Sequence, residues 1–507
     1  MRSFGATDLD AGKRRGGLVM PIVIIWGMML LLGVWFVWLE DGFAGTLSDY
    51  YLLPWALLSS VVVLSPSLYL YFKGKFDPFH PLVFAAWSYI FPAFCIGGVI
   101  VAFHLVDPYF LVFIDDPQYN LPLSLVYISV GFIGLTAGYA VPIGRFIAER
   151  LEVRLPNWQW QPSRVWAAGL LLLLAGIGVN LIGFVQGLIG YQRVTDYGTY
   201  DALIYFLLVL LSEGSMLLWL AIFSTRRKTG VYYIVLVVLI LFIPFRAALL
   251  GSRSGLVLSM FPIAMAFKYS GRKLGLRNSF IFGTLIVLAV CIGIIYGTSF
   301  RNIKGSESRV EAGDYVGQIG ATIDYLATQD PAILLRDSAQ AMADRVENLS
   351  SVAVVVSNYE RLAPYEASYG LENNIINDTL TSFVPRFLWA DKPPTSDARA
   401  YSTLYFNYSD NSFAISPFAD LLRNFGPIGI PIGMFLLGIY LRIIYRLFVE
   451  TPTPSMWKYV AYVPLLTLVS YESFYATIFP SIIRTLAVIL ISFFFVNLVV
   501  KLRIKAD

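Results

Sequence analysis

The sequence predicts an all-α polytopic membrane protein with about twelve transmembrane helices and a large outer-side loop between spans 9 and 10. Of its 507 residues, 57% are apolar and 14% are charged, and the mean hydropathy is +0.67. Soluble chains average about 45–50% apolar and roughly 25% charged residues. The apolar residues also form runs long enough to cross a bilayer. This composition excludes a soluble enzyme and a disordered chain, and the net charge of only +4 predicts no nucleic-acid partner.

Hydrophobic runs mark each predicted span in chain order. The first run is too long for the apolar part of a signal peptide, and no small-residue cleavage site follows it, so we expect it to be retained. The eighth span is short, and the last two are joined by almost no loop. The twelve predicted spans are 18–38, 50–72, 81–106, 121–144, 165–188, 202–223, 231–250, 254–267, 279–299, 427–447, 459–475 and 476–500.

The distribution of Lys and Arg predicts the orientation of these spans. Cytoplasmic loops of membrane proteins are enriched in both residues. If the N-terminus lies inside, the inner segments hold 23 Lys and Arg residues and the short outer segments hold 3. One extra span would break this alternation. We therefore expect both termini in the cytoplasm.

Residues 300–426 form one long, mostly polar segment on the predicted outer side. The segment holds 10 Lys and Arg residues and 16 Asp and Glu residues, a net charge of −6. We expect one helix over 335–357 and an ordered cap with little regular structure over 363–427. The predicted domains are the bundle of spans 1–9 (1–299), the loop domain (300–426) and the bundle of spans 10–12 (427–507).

Several arginines lie at the predicted outer edge of the membrane. Arg246 is near the outer end of span 7, Arg253 follows in the turn GSRSG, and Arg301 ends span 9. Ionisable residues at membrane depth mark functional sites by default, and guanidinium groups bind phosphate oxygens through paired hydrogen bonds. These arginines predict an anion site. Arg246 and Arg301 can alternatively reach lipid headgroups along their aliphatic stems.

Three further charged residues lie in or beside the spans. Glu472 is near the outer end of span 11 and Arg484 lies two turns into span 12. They either bind substrate or form a buried ion pair that joins the two spans. Glu213 lies in the middle of span 6, where a packing hydrogen bond is the simpler interpretation.

The sequence lacks the residues that metal-dependent or imidazole-based catalysis would need in the long loop. The two histidines, His80 and His104, lie outside the long loop, and Cys95 and Cys291 lie in apolar runs, where they are expected to be buried thiols. The sequence therefore disfavours a metal site, a disulfide framework and imidazole-based hydrolysis. A general base in the loop has to be a carboxylate. The candidates are Asp344, Glu347, Glu366, Glu372 and Asp378.

Two stretches, VPRFLWADKPP at 384–394 and SPFADLLRNFGPIGIPIG at 416–433, resemble Wzy-type oligosaccharide repeat unit polymerases. The GSRSG turn at 251–255 and the large outer loop before the last spans also resemble that family. The resemblance implies the general plan of membrane (GT-C-like) glycan polymerases and ligases. It also implies a place in the bacterial cytoplasmic membrane, with the loop on the periplasmic or extracellular face.

The resemblance implies that a growing glycan is transferred from undecaprenyl pyrophosphate to the terminal sugar of an incoming lipid-linked repeat unit. The partners it implies are this donor and acceptor, membrane lipids, a chain-length regulator and a flippase, with no cofactor. Arg253, Arg386, Lys392 and Arg423 occupy the resembling positions.

The predicted roles follow from the charge that develops on the leaving pyrophosphate, which arginines stabilise without a metal. The expected catalytic residues are Arg253, Arg246 and Arg301. The expected substrate-binding residues are Arg386, Lys392, Arg423, Glu472 and Arg484. Two alternatives stay open: a glycan ligase that uses the same anion site, and a polysaccharide or lipid transporter. The lack of a loop histidine favours the polymerase over the ligase, and the lack of internal repeats disfavours the transporter.

Overall fold

The structure, a computed structural model, is entirely helical in its regular elements over the residues that it describes. The described residues are 50–105, 109–186, 188–189, 201–225, 228–250, 255–272, 283–284, 292–293, 295–300, 303, 312–384, 389, 396–409, 413 and 415–506. No strand occurs among them, which confirms the predicted all-α class for this part of the chain.

The helices in chain order are α1 (Leu53–Phe72), α2 (Pro81–Ala102), α3 (Pro117–Ala140), α4 (Pro142–Glu152), α5 (Trp166–Val185), α6 (Asp201–Leu207), α7 (Val209–Ser224), α8 (Gly230–Leu250), α9 (Gly255–Tyr269), α10 (Ala312–Thr328), α11 (Pro331–Val346), α12 (Leu349–Glu366), α13 (Asn374–Thr381), α14 (Ala398–Phe406), α15 (Pro417–Phe448), α16 (Met456–Thr467) and α17 (Tyr475–Ala506). Short 3₁₀ helices occupy Tyr109–Phe113 and Ala367–Tyr369.

Seven helices of the described part are long and apolar enough to cross a membrane, by length and composition. They are α1, α2, α3, α5, the segment Leu203–Ser224 formed by α6 and α7, α15, and Tyr475–Lys501 of α17. They coincide with the predicted spans 2 to 6, 10 and 12. Helices α8 and α9 lie where spans 7 and 8 were expected. Span 1 lies outside the described residues, and of span 9 only residues 283–284, 292–293 and 295–299 are described.

Predicted span 11 is shorter than expected. Helix α16 ends at Thr467 after 12 residues, about 18 Å at 1.5 Å per residue, and an irregular turn follows to Phe474. The Ser470 hydroxyl accepts the backbone N–H of Glu472 at 3.2 Å. The prediction of a helix over 459–475 was therefore wrong in its second half.

The long loop is more regular than predicted. The single helix expected over 335–357 is two helices, α11 and α12, because the backbone N–H of Asn348 bonds to Ala93 instead of continuing the helix. The stretch 363–427, expected to have little regular structure, contains α13, α14 and the start of α15.

Helices α3 and α15 pack in parallel through glycines. A Cβ atom at Gly134 would stand 2.5 Å from the carbonyl oxygen of Pro431, and one at Gly138 would overlap the backbone of Phe435. Small residues let helix backbones approach closely in membranes. Because partner numbers increase together along both helices, the two run in the same direction.

Helix α15 breaks at Gly426. This glycine has φ +69°, a left-handed conformation that glycine adopts without steric cost. Pro427 then starts the longer part, in the first-turn position that proline favours. The predicted start of span 10 at residue 427 coincides with this break. The short part before it, which begins at Pro417 with Ser416 as its cap, belongs to the polar site described below.

Helix α2 contains a π-helical segment over Ala86–Ile96, which includes Pro92. Proline has no N–H and leaves a carbonyl in the preceding turn without its usual donor. Wide π turns of this kind are frequent at functional sites. The segment supplies the surface on which the corner between α11 and α12 docks.

Candidate functional site

The corner between α11 and α12 is embedded among the membrane-spanning helices. The backbone N–H of Asn348 donates to the carbonyl oxygen of Ala93, in the π segment of α2, at 3.1 Å. A Cβ atom at Gly97 would lie 3.4 Å from the Cα atom of Glu347. The opened π turn supplies the acceptor, and the missing side chain at Gly97 supplies the space.

The next residue places this corner below the ends of the helices. Leu349 lies against Gly98, where Ala56 of α1 and Leu125 of α3 also meet. Ala93 lies nine residues before Ala102, the end of α2, which is about 13 Å along a helix. The corner therefore enters the bundle by roughly two turns.

Helix α12 leads from this depth to the ends of α2 and α3. Its first residues, Leu349 to Val356, are all buried. Further on, the Asn358 side-chain amide donates to the Phe113 carbonyl oxygen at 2.9 Å, and Arg361 pairs with Asp115 at 3.3 Å. A segment predicted as part of the outer-side loop thus contributes a helix to the bundle interior.

Glu347 is the buried carboxylate of the corner. Its Oε1 accepts the backbone N–H of Ser350 at 2.8 Å, and its Oε2 accepts the Ser350 hydroxyl at 2.5 Å. Only 2% of the residue is exposed. Burial raises the pKa of Glu347 to about 7, although the hydrogen bonds from Ser350 oppose the shift. The group therefore lies close to its titration point at neutral pH.

An accessible ion pair lies beside Glu347. Arg345, in the last turn of α11, pairs with Glu472 in the turn before α17, and their side chains are 55% and 28% exposed. Burial raises the pKa of Glu472, and Arg345 lowers it. Tyr89, in the π segment, interacts electrostatically with Glu472, Arg345 and Glu347. These four side chains are called the corner site here.

Arg423 lies at the centre of a second, fully buried cluster. Its NH1 donates to Glu366 Oε2 at 3.1 Å and to the Leu371 carbonyl oxygen at 2.9 Å, and its NH2 donates to Asp420 Oδ1 at 2.7 Å. The Arg423 side chain has no exposed surface. The Tyr405 hydroxyl donates to the other oxygen of Glu366 at 2.8 Å. Burial raises the pKa of Glu366, against the effect of Arg423.

Asp420 connects this cluster to α17 and α13. Its Oδ2 accepts the backbone N–H of Ala476, in the first turn of α17, at 3.0 Å. A carboxylate at a helix N-terminus is stabilised by the free N–H groups and the helix dipole. On the other side, the Asn424 side-chain amide donates to the Asn374 Oδ1 at 2.8 Å, which joins the start of α15 to α13.

A third group of polar residues lies between α13 and α17. Asp378 Oδ2 accepts the Ser396 backbone N–H at 3.0 Å and its hydroxyl at 2.6 Å. Burial raises the pKa of Asp378, and these hydrogen bonds oppose the shift. Arg484 of α17 lies within electrostatic range of Asp378 and stacks over the ring of Phe206 at 5.4 Å. Its side chain is partly exposed.

The structure places three of the predicted substrate-binding residues, Arg423, Glu472 and Arg484, in three different polar groups. The alternative of an ion pair between Glu472 and Arg484 was wrong, because Glu472 pairs with Arg345 instead. Glu472 lies in the turn before α17, whereas Arg484 lies nine residues after Tyr475, about 13 Å along that helix. Arg423 and Arg484 are instead connected through Asp420, α13 and Asp378.

The side chains of the remaining predicted site residues are not described. Arg253, Arg301, Arg386 and Lys392 fall outside the described residues. Arg246 lies in α8, as predicted, but its side chain is not among those described. Their catalytic and substrate-binding roles stay predictions.

Glu213 is fully buried in α7, and its Oε2 accepts the Ser492 hydroxyl of α17 at 2.5 Å. This contact agrees with the packing role expected from the sequence.

Sequence reasoning missed Arg345 and Tyr89. Arg345 fell in the middle of the single helix predicted over 335–357 and was not singled out. The available signal was the pair Glu347–Asn348 directly before the apolar run that starts at Leu349, since polar residues before such a run mark helix starts. Tyr89 lies in an apolar run and had no sequence signal.

The fold and site define a helical membrane protein with a polar site built where a long loop segment enters the bundle. Among the described residues, no group of three or more His, Cys, Asp or Glu side chains is placed to hold a metal ion. Residues 182–448, slightly more than half of the chain, match the family described as "Domain of unknown function (DUF8712)", and the protein belongs to that family. No curated protein matches the chain. No solved structure matches it either.

Proposed function

We propose that the protein polymerises lipid-linked oligosaccharide repeat units at the outer face of the bacterial cytoplasmic membrane. In this reaction the glycan on undecaprenyl pyrophosphate is transferred to the terminal sugar of an incoming repeat unit. The observation that carries the proposal is the corner site, which combines an accessible arginine, an accessible carboxylate and a buried carboxylate of near-neutral pKa at membrane depth.

The corner site has the groups that this transfer requires. An acceptor hydroxyl oxygen forms the new bond to the anomeric carbon, the bond from that carbon to the pyrophosphate oxygen breaks, and the hydroxyl proton leaves. Arg345 is proposed to hold the pyrophosphate, because a guanidinium keeps its charge and binds phosphate oxygens bidentately. Glu472 is proposed to take the proton, because its raised pKa suits a general base.

The depth of the corner supports a lipid-linked substrate. A pyrophosphate attached to a polyprenyl chain lies at the membrane surface, where the carrier's hydrocarbon stays in the bilayer. The corner enters the bundle beside Gly98, near the ends of three spans. A soluble sugar donor would not require a polar site at that depth.

The other arginines have separate proposed roles. Arg484, partly exposed and near Asp378, is proposed to contact the second lipid-linked substrate. Arg423 is proposed to position α13 and α17 rather than to touch substrate, because all of its side chain is buried and bound to Asp420 and Glu366.

The proposal includes the complete topology of twelve spans, with both termini inside and residues 300–426 outside, in a GT-C-like arrangement. The parallel packing of α3 and α15 supports it, because parallel spans need an odd number of spans between them, and five were predicted. Cysteines introduced at Asp330 and Ala400 should react with an impermeant reagent in intact cells. Labelling only after permeabilisation would contradict this topology.

The test of the activity is the pattern of lipid-linked glycans in cells that lack the gene. We expect single repeat units to accumulate and the ladder to return with the wild-type gene. An intact lipid-linked ladder that fails to reach its final acceptor would instead indicate the ligase. An unchanged glycan pattern would favour the transporter.

Arg253 offers an independent test of the predicted anion site. We expect Arg253→Lys to lose activity at unchanged protein level, because lysine cannot make the paired contacts of guanidinium. One charge-assisted hydrogen bond is worth about 1.5–3 kcal/mol, or roughly 10–150-fold in rate. A wild-type rate would exclude Arg253 from pyrophosphate binding.

A further inference from the structure

Helix α13 is amphipathic, but its polar side faces the protein and its apolar side is exposed. Its inward side carries Asn374 and Asp378, which are 2% and 5% exposed and form hydrogen bonds to neighbouring residues. Its outward side carries Ile376 and Leu380, which are 47% and 67% exposed. Phe383, just after the helix, continues this apolar stripe at 65% exposure. A surface helix facing water has the opposite arrangement.

The helix lies beside α17 rather than above its end. It packs against α17, and Asp378 reaches the electrostatic range of Arg484. Arg484 is nine residues into α17, about 13 Å from its start at Tyr475. Since α17 is long and apolar enough to span the membrane, its neighbour α13 lies at the level of that span.

Other exposed apolar residues lie near the start of this helix. The hydrogen bond between Asn424 and Asn374 holds the start of α13 next to the break in α15. There Phe425 is 45% exposed and Ile428 is 72% exposed. Ile428 begins the part of α15 whose exposed residues, with Ile432, face outward along the span. A surface of this kind is expected to face lipid.

We propose that α13 lies in the membrane interface, with Ile376, Leu380 and Phe383 inserted into the hydrocarbon of the bilayer. The occupant of this surface is bilayer lipid. Amphipathic helices in this position bury their apolar face at the boundary between headgroups and acyl chains. In α13 the polar side is not left to water but is bonded to Ser396 and Asn424. The proposal does not depend on the proposed glycan transfer.

Spin labelling of the full-length protein in liposomes tests this proposal. A nitroxide is attached at Leu380→Cys, and at Ile376→Cys in a second protein, with Cys95 and Cys291 replaced by alanine. Asn377→Cys is the control, because Asn377 is an exposed polar residue of the same helix. Collision rates are measured with oxygen, which partitions into lipid, and with a water-soluble nickel chelate.

We expect the labels at Leu380 and Ile376 to collide several-fold more with oxygen, relative to the nickel chelate, than the label at Asn377. Equal ratios at the three positions would overturn the proposal, because the stripe would then face water. Immobile labels that meet neither reagent would also overturn it, because they would show that protein covers the stripe. A variant that does not reconstitute is replaced by the label at the other stripe position.

Discussion

The backbone N–H of Asn348 donates a hydrogen bond to the carbonyl oxygen of Ala93 at 3.1 Å. This bond joins the long polar segment of the chain to the π turn in the middle of a membrane-spanning helix. It holds Glu347 against Gly97 and leaves Arg345 on the accessible side, paired with Glu472. The position of the corner site thus depends on a local irregularity of α2.

The fit of this corner at Gly97 can be tested with side chains of increasing size. Gly97→Ala should be tolerated, because its Cβ would make ordinary contacts from 3.4 Å outward with Glu347 and Asn348. Gly97→Leu should displace the corner and lower the free energy of unfolding by about 1–3 kcal/mol, as expected for overpacking. Thermal unfolding and proteolysis of the purified variants measure both effects. A Gly97→Leu protein as stable as Gly97→Ala would contradict the docking.

The parallel contact of α3 and α15 predicts a strong effect at Gly138. Gly138→Ala should lower the melting temperature, because its methyl group would overlap the Phe435 backbone, which cannot change rotamer. The matched control is Gly178→Ala in α5, where no atom lies within 4 Å of the added carbon. That control should be neutral or gain up to about 1 kcal/mol of helix propensity. Equal melting temperatures would contradict the close packing.

Because Arg423 lies at the centre of a buried cluster, we expect its replacement to lower the stability of the protein rather than to remove a substrate contact. Arg423→Ala should lower the free energy of unfolding by about 3–5 kcal/mol, because it leaves Asp420 and Glu366 buried without their cation. The control is Arg361→Ala, which removes an ion pair in which both side chains are 64% exposed, and it should cost at most about 1 kcal/mol. A fully stable Arg423→Ala protein that loses only substrate binding would restore the role expected from the sequence.

The pKa of Glu347 predicts how stability depends on pH. The folded protein holds this proton more tightly than the unfolded chain, since the pKa rises from 4.5 to about 7. The protonated group therefore contributes its full stabilisation at low pH. As the pH rises from 4.5 to 7, the free energy of unfolding falls by about 3 kcal/mol in total. Glu347→Gln should reduce this decline and unfold at a higher temperature than wild type at pH 8. Parallel pH profiles of the two proteins would contradict the shift.

The membrane helices could be predicted from sequence because their signal is local. A run of about 20 apolar residues specifies a span wherever its neighbours lie, and seven such runs coincide with helices of sufficient length and apolarity. The prediction of span 11 failed in its second half, because helix α16 ends at Thr467 inside an apolar run, where hydropathy gives no signal for an end.

The site could be predicted only in part, because its geometry depends on contacts distant in sequence. Glu472 and Arg484 were singled out from their charge near the ends of apolar runs, and Arg423 from the resemblance of residues 416–433. Their partners were not, since Glu366 and Arg345 lie in a segment whose path into the bundle depends on one hydrogen bond to Ala93. A polar segment gives no sequence signal that it will enter the membrane domain.

The most direct test of the proposed function is polymer formation by the purified protein in liposomes. The substrate is the lipid-linked repeat unit extracted from cells that lack the gene. We expect wild type and Arg361→Ala to form a ladder of products, whereas Arg345→Ala and Glu472→Gln, at equal folded amounts, leave single repeat units. A full ladder from both corner variants would contradict the assignment of glycan transfer to the corner site.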